Sequence, residues 1–206
     1  HIANYKKPMI ISTGMNSIKS IKPTVEILRQ KKVPFALLHC TNIYPTPPEL
    51  VRLNAMSELK KNFPDAIIGL SDHTTSNYTC LGAVAMGASI LERHFIDKKN
   101  RKGPDISCSM NEKELKDLIN GSKIIYSSLK GKKEAQKKEG DTINFAFASV
   151  VSIMKIMKGS KFTKKNIWLK RPNDGDYGPA DFKKLLGRKA KKTIHIDKKI
   201  KKADVI

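Results

Sequence analysis

Short apolar runs alternate with amphipathic stretches along the chain as far as residue 130. Four runs are continuously apolar, as strands covered on both faces are, and lie at residues 7–13, 34–40, 66–72 and 89–95. A stretch with helical spacing follows each run, at residues 17–30, 48–62, 75–86 and 111–129. Alternation of this kind predicts an α/β fold with a parallel sheet, in which each helix connects neighbouring strands.

Four strand–helix units do not close a barrel, since an eight-stranded barrel takes roughly 250 residues. An open doubly wound sheet is one alternative, but no strand is followed by the glycine-rich turn that binds phosphate in such folds. Half of a (β/α)8 TIM barrel fits the abrupt start better, because the chain begins at His1, not Met, and enters a strand almost at once. We therefore expect a partial barrel over residues 1–130.

The sequence changes character after this region. A charged, glycine-flanked stretch predicts a linker at residues 131–144. Beyond it, strand-like pieces at residues 146–151, 167–170 and 193–196 alternate with turns. Residues 145–206 are therefore predicted to form a small β-rich domain with short helical turns.

The formal net charge is +21, from 40 Lys and Arg against 19 Asp and Glu. Such charge attracts phosphate-bearing partners, including nucleic acid. Aromatic residues do not interleave the lysine clusters as stacking platforms for nucleic acid require, so a solvated lysine-rich surface is the favoured interpretation. A basic phosphate- or nucleic-acid-binding protein stays as the weaker alternative.

The cysteine spacing and the hydropathy of the chain indicate in which cellular compartment the protein is expected. Cys40, Cys80 and Cys108 have no paired spacing, so we expect no disulfide framework and a reducing, cytoplasmic location. No run of 18 apolar residues and no signal peptide precede or interrupt the fold, so no membrane association is expected.

Two histidines end the third and fourth strand runs. His73 and His94 are separated by one helical stretch, so their strands should be parallel neighbours about 4.8 Å apart. Both imidazoles would then lie at the carboxyl edge of the sheet, close enough to share a divalent metal. For each histidine alone, a hydrogen-bonded structural role is the competing interpretation. Glu92 shares a face with His94 and is either a partner or base in the site or a barrel-core carboxylate.

Polar residues follow the other strands at the same edge. Ser12 ends the first strand, Asn42 follows the second, and Ser71 precedes His73. Hydroxyls, amides and helix N-termini at one edge can cradle a phosphate or carboxylate, although ordinary helix capping uses the same residues. The proline-rich loop after the second strand would hold Tyr44 over this site, or would serve only to stabilise a turn.

These residues, in this order, resemble the N-acetylneuraminate (sialic acid) synthase family. The matching stretches run through nearly the whole chain, at residues 12–16 (STGMN), 39–47 (HCTNIYPTP), 69–74 (GLSDHT), 91–95 (LERHF), 103–105 (GPD), 145–149 (FAFAS) and 170–172 (KRP). Sibling families that make legionaminic and pseudaminic acids share the metal and phosphate motifs. The TNIYPTP form looks more like the N-acetylneuraminate branch.

The resemblance implies a transferase that condenses phosphoenolpyruvate with N-acetylmannosamine and water, giving sialic acid and phosphate. It implies a (β/α)8 barrel followed by an antifreeze-protein-like (SAF) domain, and a Mn²⁺ or Mg²⁺ ion held by His73 and His94. By the same resemblance, phosphoenolpyruvate is contacted by Ser12, Asn42 and Ser71. The sugar is contacted by Tyr44, Asp105, Phe145 and Arg171. Arg171 would reach a partner's site in a swapped homodimer; a surface ion pair is the competing role for this residue.

One departure from the family matters. Family members carry further residues before the position of His1, including lysines that neutralise phosphoenolpyruvate and a glutamate near the metal. By the resemblance this chain holds barrel strands five to eight and the SAF domain. Half a barrel would expose two sheet edges, so we expect the isolated chain to be inactive and poorly folded.

Overall fold

The computed structural model describes residues 1–206 and divides them into two compact units, His1–Gly131 and Lys132–Ile206. The first unit is an alternation of strands and helices, and the second is a small β-containing unit. No helix of the chain is both long and apolar enough to cross a membrane.

The first unit contains four strands, each followed by a helix. In chain order these elements are β1 (Met9–Ser12), α1 (Ile18–Gln30), β2 (Phe35–Cys40), α2 (Asn54–Asn62), β3 (Ile67–Asp72), α3 (Tyr78–Ala85), β4 (Ile90–Arg93) and α4 (Glu112–Ser128). All neighbouring strands pair in parallel, in the order β1-β2-β3-β4. The predicted α/β fold with a parallel sheet is therefore confirmed.

The strand order also separates the two architectures that the sequence left open. A doubly wound sheet reverses its strand order at a switch point, whereas this sheet adds each new strand on the same side. Sequential order without reversal is the arrangement of half a TIM barrel.

The sheet has two chemically different faces. On the helix side, Phe35, Leu37, Ile68 and Leu70 pack with apolar residues of all four helices in one core. On the opposite face, cross-strand pairing places Cys40 beside Ser71 and Ser71 beside Glu92. Burying aliphatic and aromatic side chains on the helix side stabilises the unit by about 25 cal/mol per Å². The polar row faces away from that core, at the carboxyl edge.

Two helix starts follow their local sequence, and one predicted helix begins later than predicted. Ser17 and Asn111 cap α1 and α4 with side chains that accept hydrogen bonds from the third helical residue. The predicted helix at 48–62 is instead a 3₁₀ turn, Pro48–Leu50, followed by α2. Arg52 separates them with a positive φ of 55°, which a continuous helix cannot contain.

The second unit contains α5 (Gly140–Ala146), β5 (Ser149–Ser152), β6 (Ile167–Lys170) and α6 (Phe182–Leu185). β5 and β6 pair antiparallel, and isolated bridges extend the pairing elsewhere in the unit. A separate apolar cluster around the fully buried Phe162 forms its core.

The sequence was less informative about local structure in this unit. The predicted linker at 131–144 contains a 3₁₀ turn and most of α5, and the predicted strand at 146–151 begins only at Ser149, since Ala146 still belongs to the helix. At residues 193–196 only Ile194 pairs, in a single bridge with Ile156. Short pieces of this size take their conformation from tertiary packing more than from local periodicity.

Candidate active site

Histidine side chains from β3 and β4 meet at the carboxyl edge of the sheet. Ser71 pairs with Glu92 in register, so the following residues of the two strands reach the same height. The imidazole centroids of His73 and His94 lie 5.2 Å apart, with their planes inclined by 73°. His73 is buried, whereas His94 keeps about a third of its side chain exposed (34%). The pair thus opens to solvent from one side.

Tyr44 covers this pair. Its ring centroid lies 4.1 Å from that of His73 and 5.9 Å from that of His94. The loop is fixed because the backbone N–H of Thr46 donates to the carbonyl of His73 at 2.9 Å. Desolvation raises the pKa of the Tyr44 phenol above its ordinary value of 10.0, so the group is a neutral hydrogen-bond donor at neutral pH.

A hydrogen-bond acceptor fixes the tautomer of His73, and a nearby carboxylate favours the same tautomer of His94. His73 Nδ1 lies 3.0 Å from the carbonyl oxygen of Thr41, which can only accept, so neutral His73 must carry its proton on Nδ1. His94 Nδ1 lies 3.6 Å from Asp105 Oδ2, a carboxylate that favours the same tautomer. In both rings Nε2 is therefore the nitrogen available to a ligand.

This donor set fits two positions of an open divalent-metal site. Metal-binding histidines usually donate their second N–H to a carbonyl or carboxylate; the carbonyl of Thr41 serves His73 in this way, and the carboxylate of Asp105 lies 3.6 Å from His94 Nδ1. No group of three or more His, Cys, Asp or Glu side chains converges anywhere in the chain, so a closed, all-protein metal centre is absent. Water and substrate oxygens complete the coordination sphere in open catalytic sites.

Glu92 and Ser71 form one hydrogen-bonded unit beside the histidines. Ser71 Oγ donates to Glu92 Oε1 at 2.8 Å. Ser71 is buried, whereas Glu92 remains exposed. This places Glu92 on the face of the sheet opposite the helix-side core, next to Ser71.

Residues from the first two strand ends also approach each other. Ser12 is exposed on the face of β1 away from the helices, and Asn42 is exposed in the β2–α2 loop. Gly14 lies so close to Asn42 that a Cβ at residue 14 would stand 1.6 Å from Asn42 Oδ1. The two loops therefore meet at this point, and a side chain at residue 14 would displace the amide of Asn42.

Two further candidates belong to the second unit. Phe145 lies in α5 with 69% of its surface exposed, and Arg171 is exposed directly after β6. The backbone N–H of Asn173 donates to the carbonyl of Asn144 at 2.9 Å, which ties the two segments together.

Sequence reasoning missed three groups near the site. Cys40 Sγ lies 3.5 Å from Asn42 Oδ1 and 3.9 Å from His73 Nδ1, on the polar face of the sheet. Asp72 and Arg93 form a buried ion pair on the helix face. The alternation of side chains along β3 and β4 could have revealed this pair. Each of the two charged residues stands two residues after a core leucine and therefore lies on the same face of the sheet as that leucine.

A cavity of about 610 Å³ borders the site between α1 and α2. Thr13, Asn16 and Cys40 line it, together with His39 from the opposite face of β2. Neither histidine of the pair lines this cavity. His39 Nε2 lies 2.6 Å from the carbonyl of Val51, and burial lowers the pKa of His39 below its ordinary value of 6.5.

Comparison with known proteins follows this division into units. Residues 1–134 match the NeuB family, and residues 147–206 match the SAF domain. The chain belongs to the NeuB family. Both matches confirm the resemblance inferred from the motifs.

Several relatives of this NeuB-family chain are named as synthases of sialic and related acids. The chain is 37% identical over 204 residues to N,N'-diacetyllegionaminic acid synthase of Campylobacter jejuni, covering 97% of this chain and 60% of that relative. It is 35% identical over 192 residues to human N-acetylneuraminate-9-phosphate synthase, covering 93% and 54%. The chain thus spans between half and two thirds of the length of these relatives.

Solved structures give the same fold. An N-acetylneuraminic acid synthetase from Leptospira borgpetersenii, solved with citrate, matches with a TM-score of 0.64 at 36% identity, over 69% of this chain and 50% of that chain. The spore coat polysaccharide biosynthesis protein SpsE of Bacillus subtilis matches with a TM-score of 0.60 at 29% identity, over 100% and 63%.

Proposed function

We propose that this chain is the C-terminal part of the barrel and the SAF domain of an N-acetylneuraminate synthase. The reaction joins phosphoenolpyruvate to open-chain N-acetylmannosamine. C3 of phosphoenolpyruvate attacks the aldehyde carbon and forms the new C–C bond, and water adds to the resulting cationic C2. Phosphate then leaves with cleavage of its C–O bond, giving sialic acid.

One observation carries the proposal: the His73–His94 pair, with Tyr44 over it, at the carboxyl edge of the sheet. Barrel enzymes keep their reacting groups at this edge. In both histidines an oxygen lies near Nδ1, which leaves Nε2 to hold a divalent ion, Mn²⁺ or Mg²⁺. When bound, that ion supplies Lewis-acid polarisation of the sugar aldehyde.

The remaining side chains suit the two substrates. Ser12, Asn42 and Ser71 offer hydroxyl and amide groups to phosphoenolpyruvate, with Asn42 held in place against Gly14. Ser71 also donates to Glu92 at 2.8 Å, so one hydroxyl lies between the proposed substrate position and this carboxylate. Exposed Glu92 is then the group that accepts a proton from the attacking water.

The sugar contacts involve both units. Tyr44 is a neutral donor beside His73, suited to a sugar hydroxyl. Asp105 serves the sugar or His94, which it faces at 3.6 Å. Phe145 and Arg171 are exposed in the second unit and are assigned to the sugar in a homodimer whose SAF domains are exchanged. The guanidinium of Arg171 would recognise the N-acetyl carbonyl.

The names of two relatives give two alternatives for the acceptor sugar. The C. jejuni relative is a diacetyllegionaminic acid synthase, and another C. jejuni relative at 33% identity is a pseudaminic acid synthase. A panel of acceptor sugars, each mixed with phosphoenolpyruvate, separates these substrates.

Product formation tests the proposed activity. We expect no product from the isolated chain, because a half barrel supplies two metal ligands and leaves two sheet edges unpaired. Joined to the remaining part of a family relative, the chain should form sialic acid from phosphoenolpyruvate, N-acetylmannosamine and Mn²⁺, detected by mass spectrometry.

Two histidine variants serve as the matched pair in this assay. His73→Ala in the joined protein should abolish the product, whereas His195→Ala, at an exposed histidine of the second unit, should leave it unchanged. Equal product from the His73→Ala variant would contradict the proposal.

A further inference from the structure

A buried ion pair lies directly behind the two histidines. Asp72 and Arg93 precede His73 and His94 in the chain and pair in register on β3 and β4. Their side chains are 1% and 2% exposed, and Arg93 Nε lies 3.4 Å from Asp72 Oδ2. The pair faces the helices, on the opposite side of the sheet from Ser71 and Glu92.

Arg93 links the segments that follow both strands. Its guanidinium donates to one side-chain oxygen and three backbone carbonyls: Asn77 Oδ1 at 2.8 Å, Ser76 O at 2.9 Å, Cys108 O at 3.4 Å, and Thr74 O. Asn77, Ser76 and Thr74 belong to the loop after His73. The carbonyl of Cys108 belongs to the turn that begins at Asp105, whose carboxylate faces His94.

Asp72 is itself held from two sides. Thr74 Oγ1 donates to Asp72 Oδ2 at 2.7 Å, and the Cys80 thiol of α3 approaches the same oxygen at 3.7 Å. Burial and the nearby Asp72 carboxylate raise the pKa of Cys80 to about 12, so the thiol remains a donor. The network therefore joins both strand ends, the loop after β3 and one helix.

Stability alone does not explain a pair of this kind. Removing two charges from water is costly, and apolar side chains of similar volume in place of a buried ion pair are often neutral or stabilising. Positional specificity is the remaining advantage, because a planar guanidinium with several donors fixes the direction of each carbonyl. Here those carbonyls belong to the loop that follows His73 and to the turn whose Asp105 faces His94.

We propose that Arg93, anchored by Asp72, is a positioning residue that sets the separation and orientation of the His73 and His94 imidazoles. The inference rests on the proposed function, in which these two rings hold the metal. It assigns a role to a side chain that touches neither substrate nor metal.

The test compares two double variants of the 206-residue chain without metal. Asp72→Leu/Arg93→Met removes both charges, so no unpaired buried charge remains. Arg29→Met/Asp65→Leu removes an exposed ion pair of 2.5 Å and is the matched control. Long-range ¹H–¹⁵N spectra of the imidazoles report the tautomer and surroundings of each histidine.

We expect the buried double variant to shift the signals of His73 and His94 and to lose the single Nδ1–H tautomer of His73. The signals of His39 and His195 should stay in place, and the control should leave all of them unchanged. Mn²⁺ affinity should fall by at least about tenfold in the buried variant, as loss of groups behind metal ligands typically does. Folded protein with unchanged His73 and His94 signals would overturn the proposal.

Arg93→Lys provides a second route, since it keeps the charge but lacks the planar donors. This variant should retain the fold and still shift both histidine signals. If neither Arg93 variant folds, the network is needed for folding itself, and the proposal is overturned. If no form of the chain binds Mn²⁺, the metal assignment fails, while the imidazole spectra still decide the positioning role.

Discussion

Replacing Gly14 by alanine should separate binding of phosphoenolpyruvate from stability. A Cβ at this position would lie 1.6 Å from Asn42 Oδ1 and 2.8 Å from its Cγ. Because unbonded heavy atoms need about 3.5 Å, the amide oxygen must move by about 2 Å. Asn42 is exposed, so its side chain can rotate away without disturbing the core.

The two effects of Gly14→Ala differ in size. Rotation of one exposed amide should cost less than about 1 kcal/mol of folding stability, offset by about 0.4–1 kcal/mol from the more restricted unfolded chain. A lost hydrogen bond to an anionic substrate costs about 1.5–3 kcal/mol. Binding of phosphoenolpyruvate should therefore weaken by about 10- to 150-fold.

Both quantities are measured in the chain joined to the remaining part of a family relative, binding by titration calorimetry with phosphoenolpyruvate and stability by urea unfolding. Asn42→Ala should reproduce the loss of binding, and Gly140→Ala, where a new Cβ meets open space, should leave binding unchanged. Unaltered affinity in Gly14→Ala, or a stability loss above about 3 kcal/mol, would refute the argument that an exposed amide is displaced.

Other substitutions test the fold and its pH dependence. In Gly69→Ala the new Cβ would meet the backbone carbonyl of Ile90, which cannot rotate away, so urea unfolding should show a loss of about 1–3 kcal/mol. Burial lowers the pKa of His39, so the folded state favours the neutral ring, and stability should decrease as the pH falls below about 6.5. Urea midpoints measured from pH 7.5 to 5 should show this decrease in the unaltered chain and lose it in His39→Gln. An identical pH dependence in both proteins would assign the decrease to other groups. Phe162→Ala should cost the second unit about 3–5 kcal/mol, and fluorescence of Trp168, the only tryptophan, reports that unit. An unchanged transition would mean that Phe162 does not support this core.

The sheet was predictable because its signals are local. Continuous apolar runs followed by amphipathic stretches give strand order and polarity, and capping residues such as Ser17 and Asn111 give helix starts. The break at Arg52 was not predictable, since nothing in the periodicity shows a positive φ. Bridges such as Ile156 with Ile194 depend on how the second unit packs, which local pattern does not encode.

The candidate site was predictable only in part. Strand connectivity places His73 and His94 at one edge, but the stacking of Tyr44 depends on a loop conformation. The approach of Gly14 to Asn42 joins two loops that belong to different strand–helix units, and no spacing rule relates them.

Mn²⁺ affinity of the chain tests most directly the central claim that His73 and His94 form one metal site. Electron paramagnetic resonance of free Mn²⁺ measures binding without any need for turnover. We expect His73→Ala and His94→Ala each to weaken binding by about 100-fold or more, since each removes a ligand, whereas His195→Ala should bind as the unaltered chain does. Equal affinity in all three variants, or no Mn²⁺ binding by the unaltered chain, would contradict the account.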